Sequence, residues 1–380
     1  MTSTLMIIAG ETSGDKHAAL LAESLQKAAD VRLYGVGGDR MKEAGVALMH
    51  HVREMSVMGF SEVLFRIPFL RRVSRELIES IDARKPDGVI LVDYPGFNLR
   101  FAALARARGL KVIYFISPQV WAWGKGRIEK IRRTVDLMLT VFKFEEEMYK
   151  EEGIDAHWVG HPLVDEITHP DSSSFSEFKK KYGIAEGSKI LALLPGSRLQ
   201  EIRRILPGML RTAELLAGGL PHETIKIVTV IGCAPGIGSK IYDELTAGSR
   251  AYPLLCPDVE SLLISSDAGI IASGTATLEA ALYGLPIAVV YKTGWLNYLI
   301  GRSLVKLKSI SLVNIVAGKE IVKEFVQGNF KPGEVAEAVR EMLVAGGVAE
   351  KMRNEYKEVR RILGEKGATD RAAKLILNSI

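Results

Sequence analysis

Short apolar runs alternate with helical patterns along this chain, and the alternation stops once and restarts, which leaves few folds open. Leu5–Ala9, Val89–Val92, Val112–Ile116 and Leu137–Phe142 are continuous stretches dominated by Val, Ile, Leu and other apolar residues. A strand that is apolar at nearly every position belongs in a parallel sheet covered on both faces. His17–Ala29, Leu99–Arg108 and Arg127–Val135 carry helical spacing between those runs. Such a βαβα succession predicts a doubly wound parallel sheet. After Gly160 the pattern breaks, and Thr168–Ser176 (THPDSSSFS) has the composition of an exposed linker. Strands then resume at Ile190–Leu194, Ile225–Ile231, Ala268–Ala272 and Ile287–Tyr291. From Gly333 onward the chain reads as helix, broken at Gly346, Gly347 and Gly364. With 380 residues it exceeds one ordinary core. We therefore expect two α/β domains, 1–167 and 177–380, with the last helices free to pack back on the first.

Charge and cysteine usage narrow the function classes. The 50 basic and 45 acidic residues give a net charge of +5, and no dense Lys/Arg tract accompanies that excess. This argues against nucleic acid and leaves room for an anionic substrate or an anionic membrane surface. Cys233 and Cys256 form no Cys-x-x-Cys pattern, and no His/Cys group has metal-ligand spacing. Inert thiols in a reducing compartment are expected, with no metal and no cofactor. The N-terminus lacks a basic n-region and a cleavage site. Val112–Trp123 and Ala280–Tyr291 are shorter than the ~18 apolar residues a membrane-crossing helix needs. The expectation is a cytoplasmic protein.

Four strand ends carry candidate chemistry. The first strand runs into Gly10-Glu11-Thr12-Ser13-Gly14-Asp15 and a helix. Free N–H groups at a helix start suit a phosphate or a sugar hydroxyl near Ser13, Gly14 and Asp15. The spacing is not that of a dinucleotide fingerprint, and the plain alternative is a tight turn with Asp15 as a helix cap. Val92-Asp93-Tyr94-Pro95-Gly96-Phe97-Asn98 closes a strongly apolar strand. A carboxylate at that edge faces the expected ligand crevice, where a general base belongs, so Asp93 is the candidate catalytic residue. Its alternative is a turn Asp capping the next helix. In the second domain, Leu194-Pro195-Gly196-Ser197-Arg198 precedes Glu201 by one turn. Arg198, with Ser197 and Glu201 beside it, suits a diphosphate and the charge of a leaving group, against the alternative of a solvated surface Arg. Ser273-Gly274-Thr275-Ala276-Thr277-Leu278-Glu279 again joins a strand to a helix. Its N–H groups and hydroxyls suit a diphosphate and Glu279 a ribose diol, against ordinary helix capping. One further segment, Val63–Arg72, mixes Leu64, Phe65, Ile67, Phe69 and Leu70 with Arg71 and Arg72. That mixture fits an anionic lipid interface as well as a buried helix with a solvated Arg face. Trp295–Lys308 has a similar makeup.

Taken in order, AGETSGD (Ala9–Asp15), GVGGDRM (Gly35–Met41), MSVMGFSEVL (Met55–Leu64), VDYPGFN (Val92–Asn98), SPQVWAWG (Ser117–Gly124), VGHPLVD (Val159–Asp165), LLPGSRLQEI (Leu193–Ile202), SGTATLEAAL (Ser273–Leu282) and NIVAGKEIVKEFVQ (Asn314–Gln327) resemble the lipid A disaccharide synthases over almost the whole chain. Val313 stands where that pattern places Pro. The resemblance implies a glycosyltransferase-B fold of two facing Rossmann-like domains. It also implies a metal-free inverting transfer of 2,3-diacylglucosamine from its UDP ester to the 6-hydroxyl of 2,3-diacylglucosamine 1-phosphate. The products would be the β-1′,6 disaccharide 1-phosphate and UDP, made at the cytoplasmic face of a Gram-negative inner membrane by a peripheral protein. On that basis Asp93 is the base, and Ser13, Gly14, Asp15 and Met58 serve the acceptor. Ser197, Arg198, Glu201, Ser273–Thr277, Glu279, Asn314 and Gln327 serve the donor. Two other chemistries would suit the same fold: a polyprenyl-linked N-acetylglucosaminyltransferase and a UDP-sugar 2-epimerase. The glycines near the C-terminal helices are compatible with a monomer and with a swapped homodimer.

Overall fold

The computed structural model describes residues 2–55, 60–121, 126–167, 172–217, 226–294, 309–344 and 346–380, without the side chains of 60–66 and 172–174. Two units divide the chain. The first contains residues 2–166 and Leu363–Ile380, the second the described residues from 167 to 362.

Seven strands build the sheet of the first unit: β1 (Ser3–Ala9), β2 (Val31–Gly37), β3 (Ala47–His51), β4 (Gly88–Val92), β5 (Lys111–Phe115), β6 (Leu137–Thr140) and β7 (Ala156–Trp158). They lie in the order β3-β2-β1-β4-β5-β6-β7, with every neighbouring pair parallel. Alternate residues of the central strands enter two separate cores. Met6, Ile8, Val89, Leu91, Val112 and Tyr114 face one side, where helix Phe60–Arg84 contributes Val73, Leu77 and Ile81, and helix Pro95–Arg106 contributes Phe97, Phe101 and Ala102. Leu5, Ile7, Ala9, Ile90, Val92 and Phe115 face the other, under Ala18, Leu21 and Leu25 of helix Thr12–Ala28 and Ala372 and Ile376 of helix Ala368–Ser379. Burial on both faces is the physical reason for the continuous apolar runs. Each such Leu or Ile contributes about 1.5–3 kcal/mol of transfer free energy.

The second unit repeats the plan with β8 (Lys189–Leu194), β9 (Ile227–Gly232), β10 (Leu254–Cys256), β11 (Ala268–Ala272), β12 (Ile287–Tyr291) and β13 (Glu324–Val326), ordered β10-β9-β8-β11-β12-β13 and parallel throughout. Both sheets therefore reverse direction at one internal point, between β1 and β4 and between β8 and β11. In such sheets ligands bind at the strand carboxyl ends beside that point.

One expectation is corrected. Of the linker segment Thr168–Ser176, residues 168–171 lie outside the described residues, while Ser172–Tyr182 is a helix. Phe178 supplies a buried anchor and stacks near Tyr182 with ring centroids 4.6 Å apart, so the Ser-rich start is a helix N-terminus and not an open tether. The C-terminal breaks fall at Gly346, Gly347 and Gly364, all with positive φ, between helices Pro332–Leu343, Val348–Leu363 and Ala368–Ser379. Among the described residues no helix is long and apolar enough to cross a membrane.

The last helix is tied into the first unit by Asp165. Its carboxylate accepts from the backbone N–H groups of Gly367 (2.6 Å), Ala368 (3.3 Å) and Thr369 (3.2 Å), which are the open donors at that helix start. Asp165→Ala should lower the unfolding free energy by about 1–2 kcal/mol, measured by urea denaturation, because three buried or half-buried donors lose their acceptor.

Candidate active site

The carboxyl ends of β1 and β4 are adjacent, with Ala9 paired to Val92. That register brings the first two motifs together. A Cβ on Gly10 would stand 2.1 Å from Tyr94 Cδ1, so Gly10 is required by the Tyr94 ring lying over it. Asp93 and Tyr94 both adopt left-handed backbone, with φ of 46° and 48°. Two consecutive non-glycine residues in that region hold strain of order 1–3 kcal/mol each, which persists where the surroundings enforce it, commonly at functional sites. The enforcing contacts are on hand. The Asp93 N–H donates to Phe115 O (3.0 Å), and its carbonyl accepts from the Tyr114 hydroxyl (2.6 Å) and from Asn98 Nδ2 (2.7 Å). The Tyr94 hydroxyl donates to Met55 O (3.1 Å). Burial and the Asp93 charge hold the Tyr114 phenol well above its usual range, so it remains a donor. The backbone of Asp93 is thus held on both sides at the edge where a base belongs. Helix Pro95–Arg106 begins at Tyr94 with Pro95 in its first turn and without a side-chain cap bond.

Ser13 and Gly14 open helix Thr12–Ala28 beside this edge; a Cβ on Gly14 would lie 3.8 Å from Val92 O. Asp15 faces the next turn. Its carboxylate is buried and accepts from the N–H groups of Gly38 (2.5 Å), Arg40 (3.2 Å) and Met41 (3.1 Å). Both oxygens are engaged in fixing the Gly38–Met41 turn, which starts helix Asp39–Glu43. Met58 lies outside the described residues, as do Trp295–Lys308.

In the second unit β8 and β11 are neighbours, with Leu194 paired to Ile271. The turns that carry Ser197–Arg198 and Ser273–Thr275 therefore leave adjacent strands. Gly196 has φ 114°, and a Cβ there would stand 2.6 Å from Glu201 Oε2, so Glu201 packs down on the turn and shapes it. Arg198 is the residue before helix Leu199–Leu216, its side chain 51% exposed and 3.6 Å from Glu201. An exposed pair of that kind is worth at most about 1 kcal/mol, so the guanidinium can be recruited by an anion at the helix start. Thr275 makes no side-chain cap bond to the next helix, and Ala276 begins it. Glu279 lies half-buried one turn in. Thr277 is buried and its hydroxyl donates to Gly274 O (2.8 Å), so it offers a ligand little beyond its backbone.

Asn314 and Gln327 hold the walls of this edge rather than lining it with free amides. Asn314 is buried; its Nδ2 donates to Val322 O (2.9 Å) and Glu324 Oε1 (2.8 Å), and its Oδ1 accepts from Ile321 N (2.8 Å) and Val322 N (3.0 Å). Its amide is saturated. Ser273 Oγ donates to Ile310 O (2.8 Å), which joins that loop to the β11 turn. Gln327 exchanges two hydrogen bonds with the Thr293 backbone (3.3 and 3.2 Å). Of the lipid-interface set, the Leu64 and Phe65 side chains lie outside the described residues. Ile67 is half-buried, while Phe69 and Leu70 pack against the core. Arg71 and Arg72 are exposed, Arg72 with its guanidinium 5.3 Å from the Phe69 ring centre.

One residue at the first site escaped the sequence reading. Glu145, in helix Lys143–Glu151 after β6, is fully buried. Its Oε1 accepts from Trp121 Nε1 (2.9 Å) and its Oε2 from Phe142 N (3.4 Å). Burial pushes its carboxyl up to about 7, against the pull of these donors and with the help of the Asp93 charge. Nothing in the sequence separates Glu145 from Glu146 and Glu147, which are solvated neighbours by composition; only the placement of Trp121 marks it. The folded state binds the Glu145 proton more tightly than the unfolded chain. Its stabilising contribution is complete below pH 4.5 and is lost as pH rises through 7. Between those limits the loss should be on the order of 3 kcal/mol, and urea titrations of Glu145→Gln across that range should lack it.

Comparison with known proteins identifies the family and the fold. The family model described as lipid-A-disaccharide synthetase matches residues 5–378. A lipid-A-disaccharide synthase of Myxococcus xanthus is 41% identical over 378 residues, covering 98% of this chain and 96% of that protein. One from Syntrophus aciditrophicus is 39% identical, covering 99% and 97%. Among solved structures, a UDP co-structure of S. aureus MnaA superposes with a TM-score of 0.69 at 15% identity, covering 100% of this chain and 98% of that one. The calicheamicin glycosyltransferase CalG4 does so at 0.59 and 15% identity, covering 99% and 98%. At those identities the structural likeness concerns the fold alone, the two-unit α/β architecture of the glycosyltransferase-B type. The match along nearly the full chain places this protein in the lipid-A-disaccharide synthetase family.

Proposed function

We propose that this protein transfers 2,3-diacylglucosamine from its UDP ester to the 6-hydroxyl of 2,3-diacylglucosamine 1-phosphate, forming the β-1′,6 disaccharide 1-phosphate and UDP. The observation that carries the reading is the pairing of motifs at the two sheet reversal points. A strained Asp93 follows β4 beside the helix start at Ser13–Gly14 in one unit, and Arg198 and Ser273–Thr275 follow the adjacent strands β8 and β11 in the other.

On this reading the first unit takes the acceptor. Asp93 accepts the proton of the attacking hydroxyl as it approaches the anomeric carbon from the face opposite the departing UDP, which inverts the α-linked donor. Ser13 and Gly14 present N–H groups to the acceptor, and Asp15 keeps the adjoining turn in place. The second unit takes the donor. Arg198 and the N-terminus of helix Leu199–Leu216 meet the diphosphate and its developing charge. Glu279 holds the ribose, and Asn314 and Gln327 act by fixing the loops around it. The exposed Arg71 and Arg72 supply positive charge toward an anionic lipid surface, where both acylated substrates would reside.

The test is a coupled assay of UDP release with the acylated donor and acceptor, the product identified by mass. Acceptor-dependent UDP release with a tetra-acyl disaccharide product supports the reading. Consumption of UDP-N-acetylglucosamine with no acceptor present would replace it by epimerase chemistry. In this assay Asp93→Ala should fold normally and lose about 10²–10⁴ in kcat; a folded variant with wild-type turnover removes Asp93 as the base. Arg198→Ala should lower kcat/KM for the donor about 10- to 100-fold, the loss of a charge-assisted contact, while the acceptor KM stays within about twofold. Equal damage to both substrates would argue against its place at the diphosphate.

A further inference from the structure

The carboxyl edge of the first sheet holds a second carboxyl group that the transfer chemistry above leaves unused. Glu145 has no exposed surface. Its helix and the segment after β5 are joined twice, by the Trp121 indole N–H on Glu145 Oε1 (2.9 Å) and by the Tyr149 hydroxyl on Pro118 O (2.9 Å). The joined segment starts at Ile116, a β-branched residue with φ 63°, whose N–H donates to Leu139 O (3.1 Å). A β-branched side chain in the left-handed region is an outlier that only enforced surroundings maintain. Ile116 follows Phe115, the residue whose carbonyl receives the Asp93 N–H. The turn bearing Asp93 and the segment anchored by Glu145 are therefore consecutive along one sheet edge.

The charged and titratable groups around Glu145 come from each element packed there. They are Asp93 beyond β4, Tyr114 on β5, Tyr149 on the same helix, and Arg127, whose charge reaches Tyr114. The Ser117 hydroxyl is buried beside Glu145 without a hydrogen bond of ordinary geometry. His161 packs against Phe142 with ring centroids 5.5 Å apart and is held neutral by burial. None of these places a full positive charge on Glu145. Asp93 adds a like charge that raises the Glu145 carboxyl further, by less than burial does.

The geometry points to Glu145 as a positioning residue for the base: its carboxyl anchors the 117–121 segment beside Asp93 and acts on Asp93 as a second, buried negative charge. This rests on the reading of Asp93 as the base. When Glu145 ionises, the added charge strengthens Asp93 as a proton acceptor, because a like charge nearby disfavours its ionised form. The wild-type rate should therefore climb with a midpoint near pH 7. A base of higher proton affinity transfers faster, here by about two- to fivefold.

The experiment is the pH dependence of the single-turnover rate from pH 5.5 to 8.5 with saturating donor and acceptor. Glu145→Gln keeps an oxygen for the Trp121 N–H and loses the charge; its profile should lack the step near pH 7. Trp121→Phe removes the donor that favours the ionised form and should move the step upward by about half to one pH unit. Should Glu145→Gln fail to fold, the Trp121→Phe midpoint alone decides. A step retained in Glu145→Gln, or a midpoint unmoved in Trp121→Phe, overturns the inference. Asp93→Asn run in parallel separates the two readings. If it turns over at the wild-type rate, the base assignment falls and this inference with it. If it is inactive while Glu145→Gln keeps the step, Asp93 stands and only the role of Glu145 falls.

Discussion

Parallel strands can be joined only by crossovers, and a sheet covered on both faces needs crossovers in both directions. That constraint governs the molecule. In each sheet the winding starts at the middle strand, runs to one edge and then reverses, so two consecutive connections leave adjacent strands toward opposite faces. At β1 and β4, and again at β8 and β11, the chain leaves an edge of exposed backbone between diverging helices. Four of the motifs lie at these two places because the fold leaves backbone N–H groups and strand-end side chains open there.

The two edges are built with different chemistry. The first is rich in enforced backbone: Asp93, Tyr94 and Ile116 all hold positive φ, with a buried phenol and an amide on the Asp93 carbonyl. The second has an exposed Arg at the start of an 18-residue helix and an adjacent turn tied by Ser273 to the Ile310 backbone. A proton acceptor benefits from a rigid site. A diphosphate benefits from a mobile cation and open N–H groups. The proposed placing of the acceptor in the first unit and the donor in the second draws on that difference in construction.

Some of this was legible before any coordinates. The long apolar strands were, since burial on both faces removes the polar alternation that would otherwise blur them; Ala268–Ala272 and Ile287–Tyr291 begin and end where the pattern says. Short edge strands were not. β7, β10 and β13 have three residues each, too few to show a period. β2 is interrupted by Gly35, which is there because a side chain would collide with Ile7 O in the adjacent strand. The motif residues were legible as residue types at strand ends, but the use of each side chain was not. Asp15, Thr277 and Gln327 spend their polar atoms on nearby backbone, and Asn314 on backbone and the Glu324 carboxylate.

The sequence by itself determined the parallel α/β architecture, the positions of the strand ends and the family, because those depend on local apolar pattern and on the order of short motifs. Only the tertiary structure decided which strand ends are neighbours, where the last helix docks and which carboxylates are buried. Those outcomes depend on register and on contacts across long separations in the chain: Ala9 beside Val92, Asp165 on Gly367, Trp121 on Glu145. A carboxyl group three residues from Phe142 reads as a surface charge until an indole N–H from another loop covers it, and no local pattern records that event.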